Sequence, residues 1–445
     1  MHRLLYPYQI KMLQHLNNVE HPALYCVMRL GKTIVVVRHI VKTNQYERIL
    51  IIGPISTFSS WEEEVLHQDN KKILPYFGGS KERGKLFNDL ISYKWVFANI
   101  ETYLVSPQIN TLKWDCVVFD ESVKLKGAAK NIEKYNNKKP NISKYYCSSF
   151  RDAKKRILLS GFPAPHSELD YYQQLKFLDH KLVLPYNTYW DCENKCFTSY
   201  GFKKVITKTG KKYFTERLKE CALFLNKKDV GFITNIHETK IEIIPNGAYK
   251  EEICKLKDTW VFQDEVIDQA MIVYQKMQFL SSGYNGDSVT YKNKYNELLR
   301  LLKNEMKNEK VLILCEFHYE IDFLTNNLPL SMKRVCIDGR TKKINRAVMV
   351  NEFKHSKDIM IATSECIKYG MNLSFCDTVI FYSLPDNPDT FFQVKERIIS
   401  KSNYLGHIVY LLVKFTFDEQ ILKRLKQKKS KYTIFSEVVK HEQNF

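Results

Sequence analysis

The sequence predicts an α/β protein built on two doubly wound parallel sheets, and three observations carry that prediction. Short β-branched runs end abruptly in small or polar residues, as buried parallel strands do when each delivers a loop. Stretches with helical spacing lie between the runs, so the order reads strand, helix, strand. The same rhythm occurs once in each half of the chain.

In the first half the runs are ALYCVM before RLGKT, ILIIG before PIS, WVFA before NIET, CVVF before DES and RILL before SGFP. TIVVVRHIVK and the segment Trp61 to Gln68 are the helices expected after the first two. In the second half the runs are VLILCE at 311–316, RVCID at 334–338, IMIAT at 359–363, TVIFY at 378–382 and IVYLLV at 408–413. From about 180 to 305 the chain is rich in Lys, Tyr and Glu, and only KIEII at 240–244 reads as a strand, so helical insertions and a linker are expected. The expected domains are residues 1–237, with a helical and basic insertion at about 180–235, and residues 238–445, with a helical linker at about 245–305. Ligands of such sheets sit at the carboxyl ends of the strands, where the polar punctuation falls in both halves. Two rows of loops imply a cleft between two lobes.

A chain of 445 residues is long enough for two large domains. Its 44% hydrophobic and 26% charged residues are a globular composition. The longest apolar runs fall well short of the roughly 20 residues of a membrane helix, and MHRLLYPYQI turns polar too soon for a secretory leader. Several of the eleven cysteines, such as Cys116, Cys315 and Cys336, lie inside apolar runs, which predicts reduced core thiols and a cytoplasmic location. His180, Cys192, Cys196 and Cys221 lack the tight spacing of a zinc site, so no structural zinc is expected. Sixty-eight basic against 49 acidic residues leave a net charge of +19. A polyanionic partner is the natural reading, and a lysine-rich composition without function is the bland one.

The chemistry-bearing stretch is CVMRLGKT. A phosphate loop gathers backbone N–H groups at a helix N-terminus, adds a lysine for the β and γ charges, and uses a hydroxyl to hold magnesium. Gly31, Lys32 and Thr33 supply those parts between a strand-like and a helix-like run. The tripeptide alone is weak evidence, but that context strengthens it. Asp120 and Glu121 follow CVVF, where one carboxylate can serve Mg2+ and the other the attacking water. Alone, such a pair reads as a helix cap; together with the lysine loop it reads as the second half of an ATP site.

With these residues in place, the sequence resembles the superfamily-two helicase-like motors, and within them the Swi/Snf-type DNA translocases. The likeness runs in order over nearly the whole chain: LYPYQIKML, MRLGKT, ILIIGPISTFSSWEEE, WDCVVFDESVKLKG, RILLSGFPAPHSELDYYQQLKFLD, KMQFLSSGY, IDGRTKKINR, IATSECIKYGMNLSFCDTVIFYSLPDNPDTFFQVKER and VYLLVKFTFDEQIL each resemble a family segment. The resemblance implies two RecA-like lobes with an interlobe ATP cleft. It implies adenine recognition by Gln9, nucleotide contacts from Arg29, Leu30, Gly31, Lys32, Thr33 and Gly370, and Mg2+ held by Thr33 and Asp120. It further implies that Lys32, Asp120, Glu121, Gln393 and Arg397 carry hydrolysis. Ser56, Thr57, Asn99, Thr102, Thr363 and Ser364 would position DNA phosphates; for each, turn capping is the bland alternative. The expected partner is duplex, forked or branched DNA, handled by a monomeric motor of phage or bacterial type without a membrane segment.

The departures are specific. Arg29 stands where the family has glycine, and nucleotide binding survives if the dihedrals there suit an L-residue. Val123 replaces the histidine of the acidic box, and Ser160 and Phe162 replace two threonines. The family's final motif has two arginines, of which QVKERIIS keeps Arg397 and has Ser400 at the second place, with Lys401 beside it. Arginine fingers contribute on the order of 10³ to 10⁵ in rate, so a nucleotide-gated DNA-binding scaffold with little turnover stands as the alternative, together with a protein-displacing translocase that does not separate strands. The basic stretch from Lys203 to Lys228 suggests further DNA contact through its lysines, with Tyr200, Phe202, Tyr213 and Phe214 packing against the lobe.

Overall fold

The computed structural model describes residues 4–100, 106, 109, 112–125, 146, 147, 149–165, 167–200, 203–231, 235–259, 261, 262, 265, 266, 270–367, 371, 373, 375–398 and 405–427. The chain forms two compact units that meet in sequence at Gly231 and Phe232.

In the first unit the strands are β1 (Ala23–Cys26), β2 (Ile49–Ile52), β3 (Ile73–Tyr76), β4 (Trp95–Ala98), β5 (Cys116–Asp120), β6 (Lys155–Ser160), β7 (Phe197–Tyr200), β8 (Lys203–Ile206) and β9 (Ala222–Leu225). Seven of them form one sheet in the order β3-β4-β2-β5-β6-β1-β9, and every neighbouring pair is parallel. The strands β1, β2, β4, β5, β6 and β9 are buried along their whole length. Coverage on both faces explains why they read as continuous apolar runs rather than alternating ones. Because the strands are parallel, the loops that leave β1, β2, β4, β5 and β6 emerge at one edge.

The second unit holds β10 (Asn235–Ile243), β11 (Val261–Phe262), β12 (Glu265–Val266), β13 (Val311–Cys315), β14 (Arg334–Ile337), β15 (Ile359–Thr363), β16 (Thr378–Phe381) and β17 (Leu405–Val413). Its main sheet has the order β10-β17-β16-β13-β15-β14 and is again parallel throughout. Both sheets are the α/β architecture expected of the sequence.

The region from 180 to 305 corrects that reading. Besides helices it holds the antiparallel hairpin β7–β8, the edge strand β9, all of β10 and the short antiparallel pair β11–β12. β9 follows the helix Lys208–Cys221 without a turn residue; Ala222 is already extended at φ −114° and ψ 137°, while its N–H still reaches Leu218 O. Four apolar residues with no alternation carry no strand signal of their own. Pairing of Ala222 with Ala23 and Phe224 with Tyr25 decides the conformation, so tertiary context wins over local pattern. Tyr213 and Phe214 are packed inside, with Tyr213 Oη donating to Val183 O at 2.9 Å. Among the described residues no helix is long and apolar enough to cross a membrane.

Candidate nucleotide and nucleic-acid site

The phosphate-loop sequence leaves β1 and enters the helix Lys32–Thr43 through Gly31, which caps it in the left-handed conformation at φ 80° and ψ 35°. A side chain there would strain the backbone and place a Cβ 2.3 Å from Gln9 Nε2. Gln9 is buried on the helix Pro7–Asn18; its Nε2 donates to Leu30 O at 3.2 Å and its Oε1 accepts from Tyr6 N at 3.0 Å. Thus the predicted adenine reader is held against the phosphate loop itself. Lys32 Nζ donates to Cys26 O at 2.7 Å and Val27 O at 3.3 Å, which keeps the ammonium over the loop.

Arg29 adopts φ 67°. The condition set on this position, dihedrals that suit an L-residue, is not met: the backbone is left-handed, at a cost of about 1–2 kcal/mol for a residue with a Cβ.

Asp120 closes β5, which lies one strand away from β1 across β6. Its Oδ2 accepts from Trp61 Nε1 at 3.0 Å and its Oδ1 from Glu121 N at 3.0 Å, so the carboxylate is fixed in orientation. Gly53, at the end of β2, lets this happen, since a Cβ there would stand 3.1 Å from Asp120 Cβ. Glu121 is also left-handed, at φ 56°, as strained residues at functional turns often are. Val123 is buried.

Three positioning residues escaped sequence reasoning. Trp61, wholly buried, aims Asp120; a buried indole N–H needs an acceptor, and the Trp in SSWEEE was the available signal. Gln174, also wholly buried, accepts from Ser122 Oγ at 2.7 Å and donates to Pro163 O at 2.8 Å and Asp170 O at 2.9 Å. It ties the acidic turn to the loop after β6. Gly161 in that loop approaches Met28, whose Cγ and N would lie 3.2 and 3.4 Å from an added Cβ.

At the same edge, Thr57 Oγ1 donates to Pro54 O at 2.9 Å, and Ser56 Oγ is buried with no partner among the described residues. Asn99 ends β4 and is nearly buried. Thr102 lies outside the described residues. In the second unit Thr363 ends β15 and is 9% exposed, whereas Ser364 is wholly buried, so what Ser364 can present from this edge is backbone. Gly370 lies outside the described residues, as do Ser400 and Lys401.

Gln393 sits on the helix Pro388–Ile398, with Nε2 donating to Asp389 Oδ1 at 3.2 Å and Oε1 buried without a partner among the described residues. Arg397 is four residues further along this helix. Lys395 fastens the helix to the sheet through Glu238 of β10 and through Tyr410 Oη of β17 at 3.1 Å. Burial alone would raise the Glu238 carboxyl, but Lys395 and Lys426 outweigh it and hold it at about 2. Among the described residues no group of three or more His, Cys, Asp or Glu is placed to hold a metal.

Comparison with known proteins gives the family and the fold. The SNF2-related domain matches residues 8–244, more than half the chain, and the helicase conserved C-terminal domain matches 293–401. The chain is 25% identical over 346 residues to a SWI/SNF-related matrix-associated actin-dependent regulator of chromatin subfamily A-like protein 1 of Drosophila melanogaster, covering 73% of this chain and 42% of that protein. It is 24% identical over 453 residues to an uncharacterised ATP-dependent helicase of Bacillus subtilis, covering 90% and 73%. The Hef helicase domain of Pyrococcus furiosus shares the fold, with a TM-score of 0.55 over 94% of this chain and 98% of that one at 14% identity. By the extent of the first match, this chain belongs to the SNF2-related family.

Proposed function

We propose that this chain hydrolyses ATP to drive movement along DNA, unwinding or remodelling duplex, forked or branched DNA in replication, recombination or repair. The observation that carries the reading is the joining of Gln9, the loop Arg29–Thr33 and the Trp61-aimed Asp120 at one sheet edge. Membership of the SNF2-related family and the second, helicase C-terminal match support it.

In this reading Lys32 neutralises the β- and γ-phosphates, backbone N–H groups of residues 29–33 cradle them, and Gln9 selects the base. Thr33 and Asp120 would hold Mg2+; they offer a hydroxyl and an oriented carboxylate, the hard oxygen donors that such an ion takes. The ion would supply charge neutralisation at the phosphates. Glu121 orients or deprotonates the attacking water, and Gln393 and Arg397 stabilise charge on the transferring phosphate. Ser56, Thr57, Asn99, Thr102, Thr363 and Ser364 position DNA phosphates without reading sequence.

A nucleotide-gated scaffold is the second reading, favoured by the strained Arg29 and by Ser400 in place of an arginine. Steady-state ATP hydrolysis with and without DNA separates the two: DNA-stimulated turnover that Lys32→Ala abolishes supports the motor, and nucleotide and DNA binding without turnover supports the scaffold.

A further inference from the structure

The insertion of the first unit carries an exposed tryptophan on a rigid basic block. Trp190 is 52% exposed, whereas Trp61, Trp95 and Trp114 are at most 4% exposed. An exposed indole offers a rigid face on which a base can stack.

The block is built from three elements. Thr188 caps the helix Tyr189–Cys196 by accepting from Asp191 N. One turn past Trp190, Glu193 takes Lys204 Nζ at 2.6 Å and pins the hairpin β7–β8 to that helix. Thr207 N then donates to Cys196 O at 2.8 Å, and Thr207 Oγ1 accepts from Gly210 N at 3.0 Å as the helix Lys208–Cys221 begins. Gly210 is pressed against Cys196, whose carbonyl oxygen would lie 2.4 Å from an added Cβ. Next to Lys204, Val205 is 41% exposed.

Lys208 and Lys211 are exposed on this block and have no acidic partner among the described residues, unlike Lys204 and Lys212. The first turn of their helix contains no acid. Basic side chains there oppose the helix dipole, so the helix itself does not call for them. An exposed indole and ammonium groups without acidic partners on one block are the chemistry that takes a base and its phosphates. In a duplex the base faces are covered, so the match is to an unpaired strand.

We propose that this surface holds a single strand of nucleic acid, with Trp190 stacked on a base and Lys208 and Lys211 on its phosphates. The proposal rests on the DNA-motor reading only in naming the strand's origin, a DNA fork or branch. The test is a titration without nucleotide: tryptophan fluorescence of the full chain with a single-stranded oligodeoxynucleotide of about 15 nucleotides, its duplex, and the same sequence as RNA.

The single strand quenches the wild type, and Trp190→Phe removes the quenching. Trp190→Ala and the double variant Lys208→Glu/Lys211→Glu each weaken single-strand binding about tenfold. The double variant also lowers the salt slope by roughly 1.4, at about 0.7 per phosphate contact. Duplex-stimulated ATP hydrolysis is unchanged in all three. Quenching that persists in Trp190→Phe, or variants that bind single strand as the wild type does, would overturn the proposal. Equal losses on duplex and single strand would reassign the block to duplex phosphates and overturn it too. Since the titration needs no ATP, it succeeds or fails independently of whether the wild type hydrolyses ATP.

Discussion

Arg29 and Gly31 show how a phosphate loop keeps its path when its sequence changes. Both are left-handed, at φ 67° and 80°, yet one is an arginine. Arg29→Gly should raise stability by roughly 1 kcal/mol, the relief of left-handed strain less the entropy of a freer unfolded chain, while ATP binding persists. A thermal midpoint that falls would show that the arginine's own contacts outweigh the strain. Gly31→Ala makes the opposite test. Its Cβ meets the movable end of Gln9 and not backbone, so the fold should survive while Gln9 is displaced. The expected result is a KM for ATP raised about tenfold or more, from the loss of about 1.4 kcal/mol or more of binding; an unchanged KM would remove Gln9 from base recognition. At this scale the sequence singles out residues whose type the proposed chemistry fixes, as at Lys32, Thr33 and Asp120. It was silent on dihedrals, so Arg29 looked like a substitution to be excused and is a strained position to be explained.

Elements were legible where burial on both faces leaves an apolar run bounded by polar residues, which covers β1, β2, β5, β13 and β15. They were illegible where pairing across the sheet decides. β9 has only its neighbour β1 to specify it, and the hairpin β7–β8 is polar enough to pass for insertion. The Trp61–Asp120 and Ser122–Gln174 hydrogen bonds were hidden for a related reason: they join residues 59 and 52 apart in sequence, and no local period encodes them. Glu238 belongs at this scale as well, since it anchors the helix of Gln393 and Arg397 from an adjacent strand. Its carboxyl, held at about 2 from an ordinary 4.5, contributes stability that is present above about pH 4.5 and lost as the pH falls towards 2. Allowing for its partial exposure, the contribution is on the order of 2 kcal/mol. Urea unfolding should therefore find the wild type more stable than Glu238→Gln at pH 7, with the gap narrowing by about that amount as the pH falls from 5 to 2.5. A gap independent of pH would contradict the pairing with Lys395 and Lys426.

Across the whole molecule, 68 basic against 49 acidic residues suit a polyanionic partner. In the proposed reading, donors at the sheet edges would position a backbone without reading it, and the basic block around Trp190 would add charge outside those edges. A motor using both should bind DNA with strong salt dependence, because each phosphate contact releases counterions. The central claim, that the edge of the first sheet hydrolyses ATP under the control of DNA, is tested most directly by steady-state ATP hydrolysis. The measurement compares no nucleic acid, single-stranded, duplex and forked DNA, and RNA, for the wild type, Lys32→Ala and Arg397→Ala. The prediction is DNA-stimulated turnover in the wild type, none in Lys32→Ala, and in Arg397→Ala retained ATP binding with hydrolysis reduced by about 10³ or more. Normal turnover in Lys32→Ala, or no turnover by the wild type on any nucleic acid despite ATP and DNA binding, would contradict it.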